Sequence, residues 1–392
     1  MIRSEAILGL PFYEITGLEE IAGRVVIRAR YEGPILCQNC RSPELRSKGC
    51  YIREVRHDSL GSRRCVPELE ARKWHCKACG RHFRQRFPGV LLWQRASEPF
   101  RRSVFLRHWD GISRSRPGKR EGIGSAAVER WSQYFLLRQN AERSNTPCPT
   151  IPGIDEHFFT RRSGYATTFC DLKKHKVYDV VLGRSELSLE GYLAKLEGKH
   201  LVKVVCIDLS ASCRALIQKH FPNARIVADR FHVVRLINQH FLACWRDLDP
   251  VGAKNRGLLS LMRRHRHNLK QEQSVKLGIY LTEHPALHQI YRFKQKLCYL
   301  LLHKHCNQAK CKQLIPRLLR LVQELRDSGL APLVQLGNTL HSWQKKIATM
   351  WRFTRNNGIT EGFHTKMEVL QRQAYGFRNF NNYRLRVRVL CS

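Results

Sequence analysis

The spacing of hydrophobic and polar residues changes along this chain, and each change predicts a different kind of element. Residues 51–57 and 66–74 alternate between apolar and polar side chains, as half-exposed β-strands do. Over residues 98–140 the apolar side chains recur at the spacing of an α-helix, so we expect a helical region there. Residues 141–150 contain two prolines, which break regular structure and predict a linker.

After the linker, the pattern consists of short apolar or β-branched runs separated by turns, which predicts sequential antiparallel strands. These strands cover residues 152–159, 164–172 and 176–183. An amphipathic helix with Ser188 as its N-cap follows. A buried strand, a helix and another strand come next, over residues 201–208, 210–220 and 224–229. The order of three strands and then helix, strand, helix, strand is that of an RNase H-like core.

A long helical segment separates this core from the last part of the chain. Residues 230–360 keep helical spacing almost throughout, and strand signals are absent from them. We interpret residues from about 235 to 350 as an all-helical insertion in the core. Its Lys and Arg side chains could hold DNA, although a charged helix face is more often only a solvated one.

The charge of the chain indicates its partner. Its 392 residues include 69 Lys and Arg against 32 Asp and Glu, a formal net charge of +37. Such a surface attracts a polyanion, and nucleic acid is the commonest one; acidic lipid is the rival. The sequence contains neither an apolar run of about 18 residues nor a signal peptide. We therefore expect a cytoplasmic, nucleoid-associated protein with no membrane contact.

Cysteine spacing predicts a metal site near the N-terminus. Of the 15 cysteines, four form two CxxC knuckles separated by 35 residues. They are Cys37, Cys40, Cys76 and Cys79. Two such knuckles complete a closed tetrahedral site, so we expect a zinc ribbon with one structural Zn²⁺ per chain. The neighbouring Cys50, Cys65, His75 and His82 are then spare, and a region as small as residues 31–90 would depend on the metal to fold.

The helical region that follows could read DNA. Ser125, after a Gly-Ile-Gly turn, is the predicted N-cap of a helix that could be the second helix of a helix-turn-helix. Many helical hairpins share this pattern, but a basic loop precedes it. The candidate DNA-binding residues are Arg114, Arg116, Lys119, Arg120 and Arg130.

These elements together predict an α+β protein with three parts. Residues 1–90 form an N-terminal segment with the zinc ribbon, and residues 91–145 form a helical, helix-turn-helix-like DNA-binding region. Residues 150–392 form an RNase H-like α/β catalytic core that the helical insertion interrupts.

Acidic residues lie at the ends of two predicted strands that the fold makes neighbours. Asp155 is on the first strand and Asp208 ends the fourth, which the crossover helix sets beside the first. Adjacent strands lie about 4.8 Å apart, so these two carboxylates could share divalent cations. Asp229, at the end of the fifth strand, is one strand further away and is the alternative.

A third carboxylate should come from a helix that packs across the sheet. One apolar stripe marks this helix at Ile359, Phe363, Met367 and Leu370. Glu361 lies off the stripe in the first turn and is the preferred candidate. Glu368, two turns further along nearly the same line, is the alternative. Each acid taken alone is more simply a solvated carboxylate, and the hypothesis depends on all three converging.

Several blocks of the sequence resemble the DDE-type insertion-sequence transposases of the ISL-three family. Besides the two knuckles, they are Gly-Ile-Asp-Glu at 153–156, Ala-Asp-Arg-Phe-His-Val-Val at 228–234, Asn-Asn-Gly-Ile-Thr-Glu-Gly at 356–362 and the tail at 374–387. The resemblance implies Asp155 and Glu361 as the outer members of a catalytic triad. Asp208 is preferred as the middle member on strand geometry, whereas the conspicuous block surrounds Asp229. The segment 111–124 is more irregular than the helix-turn-helix of the family.

The resemblance also implies a reaction and partners. Such an enzyme binds the terminal inverted repeats of its element in double-stranded DNA, nicks there and joins the 3′ ends to target DNA. Two Mg²⁺ ions, or Mn²⁺ in their place, would be held by Asp155, Asp208 and Glu361, and a homo-oligomer would form the synaptic complex. The alternatives are a non-catalytic DNA-binding derivative that acts as a repressor and a structure-directed RNase H-like nuclease. The chain ends abruptly at Arg-Val-Leu-Cys-Ser. Two questions therefore stay open, whether the C-terminus is slightly truncated and whether this copy is active.

Overall fold

A computed structural model describes residues 8–110, 113–142, 146–353 and 358–391. The chain divides into two compact units, Met1–Glu142 and Arg143–Ser392. Each unit contains a sheet, helices and buried apolar clusters of its own. Asn356 and Asn357 of the block at 356–362 and Gly111 of the segment 111–124 lie outside the described residues.

The first unit begins with a mostly antiparallel sheet. Its strands are β1 Tyr13–Ile21, β2 Arg24–Tyr31, β3 Leu45–Glu54, β4 His57–Leu60, β5 Arg63–Cys76 and β6 His82–Arg84. The long strand β5 is its centre, since β2, β3, β4 and β6 all pair with it. The strands predicted from the alternation at residues 51–57 and 66–74 are confirmed.

This sheet has an apolar core on one face. Along β5 every second side chain is buried from Cys65 to Ala71, as a half-exposed strand requires. Tyr13, Ile27 and Phe87 complete the buried layer from the flanking segments. Because half of the buried residues in this layer precede residue 31, the region around the cysteine knuckles has more core than residues 31–90 alone suggested.

Three helices follow the sheet in the first unit. They are α1 Glu98–Trp109, α2 Ser115–Glu121 and α3 Ser125–Ala141. Two details of the prediction were wrong. The basic segment predicted as a loop is the short helix α2, because Pro117 falls in its first turn, where its missing N–H is not needed. The N-cap of α3 is Gly124, so Ser125 is already helical.

A mixed sheet forms the centre of the second unit. Its strands are β7 Pro152–Thr160, β8 Gly164–Asp171, β9 Lys176–Leu182, β10 Val204–Ile207 and β11 Arg225–Ala228. Their spatial order is β11-β10-β7-β8-β9. The first three strands are antiparallel, whereas β10 is parallel to both β7 and β11. The carboxyl ends of β7, β10 and β11 therefore meet at one edge.

The helices α4 Glu186–Ala194 and α5 Ala211–His220 connect the parallel strands. The predicted order of strands and helices in residues 152–229 is confirmed. The cap of α4 was misplaced, however. Ser185 is extended and accepts the hydrogen bond of the Ser188 backbone N–H, so Ser188 lies inside the first turn. Ser210 caps α5 at the predicted position.

Helices joined by turns and loops make up the described residues from 230 to 352, and no strand occurs among them, as the periodicity predicted. They are α6 Arg230–Leu248, α7 Arg256–Arg263, α8 Gln271–Glu283, α9 Pro285–Leu301, α10 Gln308–Arg326 and α11 Ala331–Arg352. Part of this region packs on the sheet through buried side chains such as Ile237, Leu336 and Trp343. A smaller apolar cluster around Trp245 and Leu261 lies among α6, α7, α8 and α9.

The helices α12 Gly358–Gln373 and α13 Phe380–Leu390 cover the other face of this sheet. Phe363 and Met367 of α12 and Tyr383 of α13 are buried against residues of β7, β8 and β9. The two faces of the sheet are thus covered by two layers of helices. Polar side chains lie at the edge where β10 and β11 end beside β7. Among the described residues, no helix is both long and apolar enough to span a lipid bilayer.

Candidate functional site

The four knuckle cysteines form one cluster, as predicted. Their sulphur atoms all lie within 4.8 Å of one another. The distance is 3.6 Å between Cys37 Sγ and Cys79 Sγ and 3.5 Å between Cys40 Sγ and Cys76 Sγ. Tetrahedral zinc with Zn–S bonds of about 2.3 Å requires S–S separations of about 3.8 Å. The cluster therefore fits a closed structural zinc site.

The two knuckles have the same backbone turn, which aims their thiols at one point. The N–H of Arg41 donates to the carbonyl of Cys37, and the N–H of Gly80 donates to that of Cys76, both at 2.9 Å. Arg41 and Gly80 both adopt left-handed backbone angles, with φ of 59° and 70°. Backbone N–H groups of Cys40 and Asn39 lower the pKa of the Cys37 thiol to about 6, which favours the thiolate that binds metal.

The four spare candidates near the knuckles are not part of this cluster. Cys65 is buried in the core of the sheet, whereas Cys50 is exposed on β3. His75 and His82 pair across β5 and β6, with their ring centroids 4.6 Å apart. The thiols that could hold a metal ion together are therefore those that the CxxC spacing predicted.

Two of the predicted carboxylates lie side by side in the second unit. Gly153 of β7 pairs with Cys206 of β10, and Asp155 and Asp208 each lie two residues further on. Because the strands are parallel and side chains alternate, both point to the same face at the same edge of the sheet. Thr168 lies directly opposite Asp155 on the other neighbour, β8.

This edge concentrates negative charge in a chain that is otherwise basic. Asp155, Glu156 and Asp208 line one small pocket together with Arg184. Burial and then the charge of Asp208 raise the pKa of Glu156. Burial also raises the pKa of Asp208, and the charge of Asp155 adds to this effect. Acids whose pKa is raised by neighbouring negative charge mark a place where a cation would be stabilised.

Asp229 follows β11 at the same edge, but its environment differs. It is only 1% exposed and caps α6 by accepting the N–H of Phe231. His232, one turn into α6, lies between two acids: its Nε2 is 3.8 Å from Asp155 and 3.7 Å from Asp229. The interaction with Asp155 raises the pKa of His232. Asp229 is thus the N-cap of α6, whereas the Asp208 carboxylate accepts the N–H of Ser210 in the turn before α5.

The third candidate, Glu361, is exposed in the first turn of α12. One turn later on the same helix, His364 Nδ1 lies 3.9 Å from Asp155. The charge of Glu361 affects the pKa of His364 more than that of Glu368 does, although burial dominates and lowers this pKa. Glu368 forms an exposed ion pair with Arg372 at 3.5 Å. Glu361 therefore lies one helical turn before the residue of α12 that approaches Asp155.

Hydrogen bonds between buried groups hold α12 and α13 to the sheet. The Thr168 hydroxyl bonds both His364 Nε2 at 3.2 Å and His157 Nδ1 at 3.0 Å. His157 Nε2 in turn bonds the Tyr383 hydroxyl at 2.8 Å. Burial lowers the pKa of His157 to about 3, so its ring is neutral. This Thr168 network fixes α12 relative to Asp155.

The predicted carboxylates do not form a tight group as the cysteines do. Within the part of the chain that the structure describes, the four thiols are the one set of three or more Cys, His, Asp or Glu side chains whose ligand atoms all lie within 4.8 Å. Asp155, Asp208 and Glu361 are therefore more widely spaced than that.

Sequence reasoning did not assign roles to Glu156, His157, His232 or His364. All four stand in or beside blocks that the resemblance had marked: Glu156 follows Asp155, His232 lies in the block at 228–234 and His364 follows Glu361 by three positions. The spacing Glu-x-x-His on one helix face was the available signal. The contacts of these side chains link different helices and strands, and the periodicity of apolar residues along the sequence does not indicate such contacts.

The predicted DNA-binding residues lie in the first unit on and beside α2. Arg114, Arg116, Lys119, Arg120 and Arg130 are all exposed. Arg114 forms an ion pair with Glu129 at 2.5 Å. A three-residue turn joins α2 to α3, and Gly118 is required there, because a Cβ would lie 2.7 Å from the carbonyl oxygen of Ile123. Two helices with so short a turn can form a helix-turn-helix.

Comparison with known proteins identifies the family. The model of the ISL-three family of DDE transposases, described as "Transposase", matches residues 153–387, which is more than half of the chain. The chain is also 24% identical over 377 residues to the transposase for insertion sequence element IS1001 of Bordetella parapertussis. This alignment covers 90% of the chain and 88% of the relative. The chain therefore belongs to the ISL-three family of DDE transposases.

Proposed function

We propose that this protein cuts the ends of an insertion sequence and joins them to target DNA, with Asp155, Asp208 and Glu361 as its catalytic carboxylates. The observation that carries the proposal is the register of β7 and β10, which sets Asp155 beside Asp208 on one face. The helix that carries Glu361 contacts Asp155 through His364. Three acids from two strands and a helix thus border one edge.

The topology supports an RNase H-like core. If the strands of this sheet are numbered by their order in the chain, their spatial order is third, second, first, fourth, fifth. The fourth and fifth strands are parallel to the first. The helices α6 to α11 follow the fifth strand and precede α12, so they form an insertion within this core. Ligands of open α/β sheets bind outside the carboxyl ends of the strands. Asp208 and Asp229 follow the ends of β10 and β11, and Asp155 lies on β7 beside Asp208.

The acidic edge fits divalent cations. Mg²⁺ prefers carboxylate oxygens, and the repulsion among Asp155, Glu156 and Asp208 is what a bound cation would relieve. The ions of a two-metal site stand about 3.5 to 4 Å apart, so such a site needs acids that are spread more widely than the cysteine cluster, as these three are. When bound, two Mg²⁺ or Mn²⁺ ions supply Lewis-acid stabilisation of the attacking and leaving oxygens.

The side chains of the protein would then hold and orient the reactants. Asp155 and Asp208 form one wall of the site from the sheet, and Glu361 forms the opposite wall from α12. The Thr168 network keeps that helix in place, because its hydroxyl bonds rings from both elements. No protein nucleophile is required, since water or a 3′ hydroxyl attacks the phosphodiester.

The first unit would recognise double-stranded DNA at the terminal inverted repeats. Exposed basic residues on and beside α2 lie next to the three-residue turn, and the zinc cluster fixes the other end of the sheet. Phosphate contacts by such residues position a protein on DNA, whereas side chains of a helix in the major groove read the bases. Joining requires that the two ends of the insertion sequence meet, so we expect the protein to act as a homo-oligomer.

The central test is substitution of Asp155 by Asn in the full-length, zinc-loaded protein. With labelled element ends and Mg²⁺, we expect cleavage and joining to fall by more than about a thousandfold, because a ligand charge at the reacting centre is lost. DNA binding should not change. Asp247→Asn, the same change at an exposed acid of α6, is the matched control and should retain activity. Equal cleavage by both variants would refute the assignment.

A second pair of variants distinguishes Asp208 from Asp229 as the middle carboxylate. Asp208→Asn should abolish cleavage while the protein stays folded. Asp229→Asn keeps an N-cap on α6 and should retain measurable cleavage, because Asn caps about as well as Asp. The reverse result would transfer the role to Asp229. Cleavage of branched DNA alone would favour the nuclease, and binding with no cleavage by the wild-type protein would favour the repressor.

A further inference from the structure

An exposed apolar tip in the first unit has no role in the site described above. It is the loop of residues 88–95, and its apex is Leu91, Leu92 and Trp93. These three side chains are 42%, 44% and 83% exposed. An exposed tryptophan directly after two exposed leucines is unusual on a surface this basic, and contiguous exposed apolar residues mark an interaction site.

The loop is held in a defined shape. The guanidinium of Arg53 donates to the carbonyl of Leu91 at 3.1 Å and to that of Gln94 at 2.9 Å. The N–H of Gln94 also donates to the carbonyl of Leu91 at 3.1 Å. Trp93 is left-handed with φ of 62°, a conformation that bulky residues rarely adopt without a functional reason. The aromatic ring is therefore presented in advance of binding.

The segment that contains the tip is rich in arginine. Residues 81–97 contain no Asp or Glu and include Arg81, Arg84, Arg86 and Arg95. The Arg84 guanidinium lies 5.9 Å from the centroid of the Trp93 ring. The zinc knuckle supports this arrangement, because Gln38 Nε2 donates to the carbonyl of Arg84 at 3.0 Å. An aromatic ring beside a cation can stack on a nucleic-acid base while the cation binds the adjacent phosphate.

We propose that Trp93 stacks on an unpaired base of DNA, with Leu91 and Leu92 as an apolar wedge beside it and Arg84 on the adjacent phosphate. This inference rests on the proposed function and adds to it a surface for distorted or single-stranded DNA. Apolar side chains between base steps and aromatic rings on unpaired bases are general devices for holding such DNA. The absence of acids from residues 81–97 favours this polyanion over a protein partner.

The test compares Trp93→Ala with wild type on two DNAs, a fully paired duplex and the same duplex with a short unpaired bubble. The full-length, zinc-loaded protein is used without divalent cation, so that binding is measured apart from catalysis. Trp93→Ala should lose about tenfold or more in affinity for the bubble and less than about twofold for the duplex. Trp93→Phe should restore most of the loss, because it keeps an aromatic face.

Salt dependence separates stacking from charge. Trp93→Ala should keep the wild-type slope of affinity against salt, whereas Arg84→Ala should lower that slope by about one, as loss of one phosphate contact does. Leu187→Ala, at a side chain that is 90% exposed in α4, is the control for loss of an exposed apolar group.

Four results would overturn the inference. Bubble binding by Trp93→Ala equal to that of wild type, or an equal loss on both DNAs, removes the stacking contact. A change in oligomeric mass with unchanged DNA binding makes the tip a protein interface. If wild type binds neither DNA, the proposed function fails together with this inference; if wild type binds and Trp93 does not matter, the inference alone fails.

Discussion

Single polar residues in buried positions determine much of the local structure in this basic protein. Asp179 of β9 is buried and receives Arg384 of α13 through two bonds of 2.7 and 2.6 Å. Arg388 lies 3.9 Å from the same carboxylate. Removing one member of such a buried pair leaves an uncompensated charge, which is strongly destabilising. The few acids of the chain are thus used at the sheet edge and under its last helix.

His57 should make the first unit sensitive to acid. Its ring is buried, Nδ1 bonds the Ser97 hydroxyl at 2.8 Å, and burial lowers its pKa. A group with a lowered folded-state pKa stabilises the fold above its unfolded pKa of about 6.5 and loses that contribution as pH falls below it. We expect the unfolding free energy of wild type to decrease below about pH 6.5 more steeply than that of His57→Asn.

Chemical denaturation of both proteins between pH 5 and 8 measures this difference. Zinc and the other histidines affect both proteins alike, so the difference between the two curves isolates His57. Parallel curves across this range would show that His57 titrates equally in the folded and unfolded protein.

At the scale of elements, the sequence predicted types and order well and boundaries less well. The strands at residues 152–183 follow from β-branched runs between turns, and the thiols of the knuckles follow from spacing alone. The start of α4 was missed because both Ser185 and Ser188 can cap, and only the backbone angles distinguish them. The helix α2 was missed because Pro and Gly in a short basic run normally indicate a loop.

The Thr168 hydroxyl should hold the helix of Glu361 in place. Thr168→Val removes bonds to two buried histidines, which we expect to cost about 1–3 kcal/mol. Hydrogen exchange should become faster in α12, and the turnover number should fall more than DNA affinity. The matched control is Thr167→Val on the same strand, which loses a 2.7 Å bond to the Gly183 carbonyl but contacts neither histidine. Equal exchange of α12 in both variants would contradict this positioning role.

At the scale of the whole molecule, each unit is stabilised by its own core, and only the first contains the cysteine cluster. The knuckles connect the segment before β3 with the hairpin of β5 and β6, far along β5 from its buried stretch around Leu69. Metal removal should therefore act locally first. This differs from a small zinc finger, in which the metal supplies most of the folding free energy.

Chelation of zinc from the full-length protein should release the knuckle end of the sheet and leave the rest folded. We expect amide protection to fall more than about tenfold at residues 37–47 and 73–84, because the links that close these segments are lost. Protection should persist at residues 25–29 and 65–71 and in β7 to β11. Cys40→Ser should reproduce this pattern with no bound zinc, whereas Cys50→Ser, also at an exposed cysteine, should retain one zinc and wild-type exchange. Loss of protection throughout the first unit would mean that its apolar core cannot hold the sheet without the metal.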